Sequence, residues 1–122
     1  MTTLLYTHPA CLEHDTGFGH PECPGRLTAV LNVLRTGPFA ALEWRDVPQA
    51  TLEQLTRIHP QAYVERTLAR IPKQGNVAVD GDTILSPQSG EAALRGVGAV
   101  CAAVDAIMKR EASNAFCAIR PP

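Results

Sequence analysis

The sequence predicts a layered α/β fold built on a small parallel sheet. Short apolar runs alternate with amphipathic stretches in the order β, α, β, α, α, α, β, the pattern of parallel strands joined by helices. The last apolar run, Asn114-Ala115-Phe116-Cys117-Ala118-Ile119, is continuous rather than alternating, as expected of a parallel strand buried on both faces. Ahead of it, Ala93, Val97, Val100, Val104 and Ile107 recur at helical spacing, the strongest helix signal in the chain.

Each element has its own local reason. Thr3-Leu4-Leu5-Tyr6-Thr7 reads as a first strand. Residues from His8 to Cys23 have no period and are rich in His, Gly, Pro and acidic side chains, so they form a long loop, a length usually reserved for function. Pro24 suits the first position of a helix, with Leu27, Val30, Leu31 and Leu34 on one face and Thr36-Gly37-Pro38 as its stop. Glu43-Trp44-Arg45-Asp46-Val47 is a second strand, closed by Pro48. Thr51 and Gln54 make a capping box for a short helix, and Pro60 starts another with Val64, Leu68 and Ile71 along one face. Residues 72–85 carry Pro72, Gly75, Asn76 and Gly81, which predicts a second long loop. Ser86-Pro87 reads as a cap and first-position proline for the last helix. Gly96 and Gly98 inside that helix each cost about 1 kcal/mol relative to Ala, so a close neighbour is expected there.

Composition narrows the function classes. With 122 residues, 45% hydrophobic and 19% charged, the chain suits one globular domain spanning 1–122. A net charge of −1 leaves no electrostatic footprint for nucleic acid or for an anionic membrane. No apolar stretch approaches the ~20 residues of a membrane span, and the N-terminus lacks the basic start and apolar core of a signal peptide. Cytoplasm is the expected compartment. Cys11, Cys23, Cys101 and Cys117 have no disulfide-like spacing, which fits a reducing environment.

Read from the residues alone, His8, Cys11, His14, His20 and Cys23 are all candidate zinc ligands within one loop. Their spacing does not match a ligand pair followed by a core-spanning loop. Histidines that cap, orient or line the loop are the better reading. Asp80 and Asp82 could be a carboxylate pair, but carboxylates two apart are common in turns. His59 and Tyr63 are assigned to packing and helix capping. No Gly-x-Ser-x-Gly, Walker or dinucleotide fingerprint is present.

Four separated motifs occur in order. They are Thr7-His8 with His14-Asp15-Thr16-Gly17-Phe18-Gly19-His20-Pro21-Glu22-Cys23-Pro24-Gly25-Arg26, then Arg57-Ile58-His59-Pro60, then Asp80-Gly81-Asp82-Thr83-Ile84-Leu85-Ser86-Pro87, and finally Asn114-Ala115-Phe116 leading to Arg120-Pro121-Pro122. Together they resemble the first part of the histone deacetylase family, most closely the bacterial deacetylase-like amidohydrolases, acetylpolyamine amidohydrolases and class II deacetylases. The resemblance implies a three-layer α-β-α domain, the N-terminal portion of the arginase/deacetylase-like fold. It implies that His20 and Pro21 form part of a substrate-tunnel rim and that Asp82 accepts hydrogen bonds from the substrate backbone. It implies that Arg26 lies along an internal product channel, where a permanent guanidinium charge suits a carboxylate. An ordinary ion pair at a helix start is the plainer reading of Arg26, and a solvated turn residue that of Asp82.

In the family, Arg-Pro-Pro is followed by Gly-His-His, and the zinc ligands and catalytic Tyr lie further on. Chemistry in open α/β sheets gathers beyond the carboxyl ends of the strands, so the catalytic face is expected past Pro122. The expected function is the N-terminal segment of a zinc-dependent deacetylase of acetyl-lysine or acetylpolyamine amides, without catalytic residues, metal ligands or cofactor of its own and inactive alone. The second reading is a non-enzymatic protein that self-associates. A homo-oligomer formed through the Asn114, Phe116 and Ile119 strand edge is expected on either reading.

Overall fold

A computed structural model describes residues 2–122. The elements run β1 (Thr3–Tyr6), α1 (Ala10–Glu13), α2 (Pro24–Leu34), a 3-10 turn (Gly37–Phe39), β2 (Glu43–Arg45), α3 (Leu52–Thr56), α4 (Gln61–Ala69), β3 (Val77–Ala78), β4 (Ile84–Leu85), α5 (Ser89–Met108) and β5 (Asn114–Cys117). β1 is the centre of a three-stranded sheet ordered β2-β1-β5, and both pairings are parallel. Leu5 stands opposite Trp44 on one side and Phe116 on the other. β3 and β4 form a separate antiparallel hairpin.

Strand alternation sends successive side chains to opposite faces, which builds the three layers. Leu4 and Tyr6 pack with Ala99, Ala103 and Ala106 of α5, and Ala115 and Cys117 join them. On the other face Leu27 and Leu31 of α2 pack with Cys11 and Ala118, with Trp44 against them. Ile119 touches both clusters. The predicted order of elements and the parallel sheet hold, as do the Pro24 helix start and the Thr51–Gln54 capping box.

The structure corrects several expectations. The 8–23 loop contains the single turn α1, and the 72–85 loop contains the β3–β4 hairpin. Ser86 does not cap α5; the helix begins at Ser89 and its N-cap is Gln88. Pro60 precedes α4 as its N-cap rather than opening it, and His59 provides no side-chain cap. Its ring instead packs against Tyr63, with centroids 5.0 Å apart.

The largest correction concerns α5. Its valine stripe faces outward, with Val97, Val100 and Val104 exposed, while Ala92, Gly96, Gly98, Ala99, Ala103 and Ala106 are buried. Small side chains let the helix approach its neighbours closely. At Gly98 a Cβ would stand 1.9 Å from the Pro48 carbonyl oxygen, and there the backbones lie in direct contact. The main chain confirms the approach, since Ala50 N–H donates to the Leu94 carbonyl at 3.0 Å.

The last strand ends at Cys117, and it is not buried on both faces. Phe116 is 50% exposed. β5 is an edge strand, paired among the described residues with β1 alone. Ala115 and Cys117 lie under α5, whereas Phe116 projects beside α2, which covers it only in part.

Candidate functional site

The chain leaves β5 at Ala118 and turns inward. Arg120 is 1% exposed, the largest fully buried side chain among the described residues. A guanidinium cannot shed its charge in a protein, so its burial requires a carboxylate and acceptors for every donor. Glu22, at the end of the first long loop, supplies the carboxylate. Arg120 Nε donates to Glu22 Oε1 at 2.7 Å and Nη2 donates to Oε2 at 2.9 Å, a bidentate fork. Arg120 Nη1 donates to the carbonyls of Cys11 and His14 at 2.9 and 2.8 Å. The strand end is thereby fastened to both ends of the loop's first turn.

His14 extends this network. Its Nε2 faces Glu22 Oε2 at 3.6 Å and its Nδ1 lies 2.6 Å from Ser89 Oγ. Burial and then the Arg120 charge push the imidazole below its ordinary pKa, against the opposing pull of Glu22 and Asp15. His14 is therefore neutral at pH 7. With its proton on Nε2 toward Glu22, Nδ1 is left to accept the Ser89 hydroxyl proton. Ser89 Oγ also accepts the Ser86 N–H at 2.7 Å, and Ser86 Oγ accepts the Asp15 N–H at 2.9 Å. Burial alone would raise the Glu22 carboxyl, but hydrogen bonds and charge from Arg120, aided by His14 and Arg26, hold it below its ordinary value.

Above the network the two long loops meet. Glu22 N–H donates to His20 Nδ1 at 3.0 Å, so His20 carries its proton on Nε2 and donates it to the Asp82 carbonyl at 3.0 Å. Asp80 shapes the second loop by accepting the N–H groups of Asp82 and Thr83 at 2.9 and 2.8 Å and the Thr83 hydroxyl at 3.0 Å. Those bonds lower its pKa, the Asp82 N–H first. The Asp82 backbone is held while the residue stays exposed. A cleft of about 200 Å³ opens beneath, walled by Leu68, Ile71, Ile84 and Pro121, with Asp82 and Thr83 at its edge and His14 and Ser89 at its base.

The histone deacetylase domain profile matches residues 20–122. The chain belongs to the histone deacetylase family. It is 38% identical over 127 residues to the uncharacterized protein slr0245 of Synechocystis, covering 100% of this chain and 40% of that protein. It is also 38% identical over 107 residues to a histone deacetylase-like amidohydrolase of Pseudomonas aeruginosa, covering 85% of this chain and 27% of that one. Among solved structures, the crystal structure of the HDA15 HD domain superposes on 99% of this chain and 35% of its own at a TM-score of 0.87, with 24% identity, which shows the shared fold. The chain thus spans well under half of the length of each.

The loop donors of this chain do not fit a catalytic zinc. His8 Nδ1 accepts the Ala10 N–H, His14 and His20 are engaged as above, and Cys11 is sealed in an apolar cluster. Among the described residues no group of three or more His, Cys, Asp or Glu side chains gathers where a metal could sit. Of the sequence-predicted rim, the structure joins His20 to the Asp82 backbone and leaves Pro21 exposed beside them. Arg26 stands apart. Its side chain is 59% exposed, pairs with Glu22 at 3.3 Å and borders a separate groove with Leu27 and Phe116. Sequence reasoning missed Glu22, Arg120 and Ser89 as a unit. The available signal was Arg120 itself, a permanent charge at the exit of an apolar strand that demanded a buried carboxylate.

Proposed function

We propose that this chain contributes the N-terminal, substrate-rim segment of a zinc-dependent deacetylase acting in the cytoplasm on acetyl-lysine or acetylated polyamines. The 122 residues alone do not turn substrate over on this reading. The name of the Pseudomonas relative supports amide hydrolysis as the reaction class. The observation that carries the rim assignment is the clamp between His20 and the Asp82 carbonyl at the mouth of the cleft. It fixes the Asp82 main chain and leaves a short carboxylate to accept an N–H from the substrate backbone. The apolar walls suit the methylene stem of an acylated amine, and His20 and Pro21 give that stem a firm border. Arg26 awaits a carboxylate product at the groove beneath α2.

The test is a chimera in which this chain is followed by the part of the Synechocystis relative beyond the matched segment. The chain alone should leave a fluorogenic acetyl-lysine peptide and an acetylated polyamine unhydrolysed, and the chimera should hydrolyse one of them. Asp82→Ala in the chimera should lower kcat/KM by the equivalent of ~1.5–3 kcal/mol, the worth of a charged hydrogen bond, with metal content unchanged. Unchanged efficiency would remove Asp82 from the rim, and hydroxamate-sensitive turnover by the 122-residue chain would overturn the reading.

A further inference from the structure

The hydroxyl groups beneath the rim form a chain with one direction. Glu22 can only accept, so His14 holds its proton on Nε2 and its Nδ1 is left as an acceptor. Ser89 Oγ therefore donates to Nδ1, while it accepts the Ser86 N–H at 2.7 Å and the Ser86 hydroxyl at 3.0 Å. Ser86 Oγ in turn accepts the Asp15 N–H at 2.9 Å. A hydroxyl has one proton to give and two lone pairs to offer, so Ser89 is fully used. The three side chains are sealed, His14 at 4% exposure and both serines at 2%.

What the chain holds gives it weight. Asp15 opens the segment that carries His20 and Pro21, and Thr16 Oγ1 donates to the Glu22 carbonyl across the neck of that segment. At its far side His20 ties the segment to the Asp82 carbonyl. The Asp15 amide on Ser86 is thus where the first loop is fastened to the start of α5.

We propose that His14 is a positioning residue for the rim, acting through Ser89 and Ser86 on the Asp15 amide, and that it acts only as the neutral imidazole. A proton on Nδ1 turns both ring nitrogens into donors. Ser89 must then accept from His14, and the chain has to reverse. Reversal aims the Ser89 proton at Ser86 Oγ and leaves the Ser86 hydroxyl proton with no acceptor, because Ser86 Oγ has no other polar contact among the described residues. An orphaned buried donor weakens an arrangement by roughly tenfold or more. Ser86 turns away, and the Asp15 amide is released. The groups facing His14 decide when this happens. Arg120 at the strand exit and His20 on the rim oppose the proton, Glu22 and Asp15 favour it, α5 contributes the uncharged Ser89, and burial tips the balance against the charge. The latch is therefore closed at pH 7 and opens below 6.5. That its opening impairs substrate use rests on the reading of His20, Pro21 and Asp82 as the rim.

Ring and amide NMR of the 122-residue chain tests the latch. The His14 ring should carry its proton on Nε2 at pH 7. As the ring takes a second proton, hydrogen-exchange protection of the Asp15 and Ser86 amides should fall together by ~10-fold or more. The Asp82 and Thr83 amides, held by Asp80, should keep theirs. His14→Asn sets an amide oxygen near the place of Nδ1 and takes no proton, so there the protection should persist as pH falls. Ser89→Ala should lose it at every pH, with unchanged circular dichroism. Protection that ignores the ring titration, or that declines just as steeply in His14→Asn, would overturn the proposal. In the chimera, kcat/KM should show an acid limb that coincides with the ring titration and is absent from His14→Asn; an identical limb in both would remove the positioning role. A chimera without turnover counts against the proposed function instead, and the NMR measurement still decides the latch.

Discussion

Arg120 donates four hydrogen bonds inward, onto Glu22 and two carbonyls of the first loop. Removing one partner of a buried ion pair strands the other, at a typical cost of about 3–5 kcal/mol. Arg120→Ala should therefore lower the urea midpoint strongly. Arg120→Met with Glu22→Leu should recover much of the loss, because no charge is then left alone. If the single change costs under 1 kcal/mol, water must reach the pair. The same cluster sets a pH dependence. His14 has a folded pKa below 6.5, so its contribution is complete above pH 6.5 and fades as pH falls through the lowered value. Glu22, lowered from 4.5, acts the same way one step further into acid. Thermal midpoints should be level from pH 8 to 7, decline below about 6.5 and drop again below about 4.5. Glu22→Gln should shrink the second decline, leaving the share that Asp80 and Glu91 contribute in the same direction; a midpoint that rises on acidification would contradict both shifts. In the sequence these residues were visible only as members of motifs. Glu22 and Arg120 are 98 positions apart, and no local pattern of periodicity or capping links residues at that separation.

Helix α5 shows what hydropathy can and cannot reveal about an element. The period was legible, and so was the crowding at Gly98. The buried face was not, because hydropathy ranks valine above alanine and glycine and so selects the wrong side of the helix. Burial here follows distance: a helix lying close over β1 and the Pro48 segment has room only for small side chains. Gly96 and Gly98 separate the two effects. A Cβ at Gly98 would overlap a carbonyl oxygen, while at Gly96 the nearest contact is Ile119 Cδ1 at an ordinary 3.5 Å. Gly98→Ala should destabilise by at least ~1–3 kcal/mol, the cost of overpacking. Gly96→Ala should be neutral or stabilise by up to ~1 kcal/mol through helix propensity. Denaturant titrations of both variants decide it, and equal effects would mean the Pro48 segment moves freely. The short β3–β4 hairpin was missed for another reason. Its first strand is exposed, its second is only two residues long, and the segment between carries turn chemistry, so nothing in the pattern distinguishes strand from loop.

At the scale of the molecule, everything is arranged around β1. Leu4, Leu5 and Tyr6 are nearly inaccessible, held by strands on both sides and helices on both faces. The β3–β4 hairpin and α3 have no buried residue other than Leu85. Native-state hydrogen exchange should therefore be slowest at Leu4–Tyr6 and at the buried turns of α5, and faster by orders of magnitude across residues 73–83 and α3. Uniform protection would show a more even distribution of stability. The layered fold was legible from the order of elements, but the central place of the first strand was not, since sequence order does not state sheet order. That placement has a consequence for how the protein is made. The ribosome releases β1 first, and both its neighbours come later, β5 about 110 residues later by the Leu4–Ala115 register. At ~5–20 residues per second the first strand waits roughly 6–20 s for its last partner. Through that interval its three most apolar residues are open to chaperones, and this strand is where a nascent chain would be held.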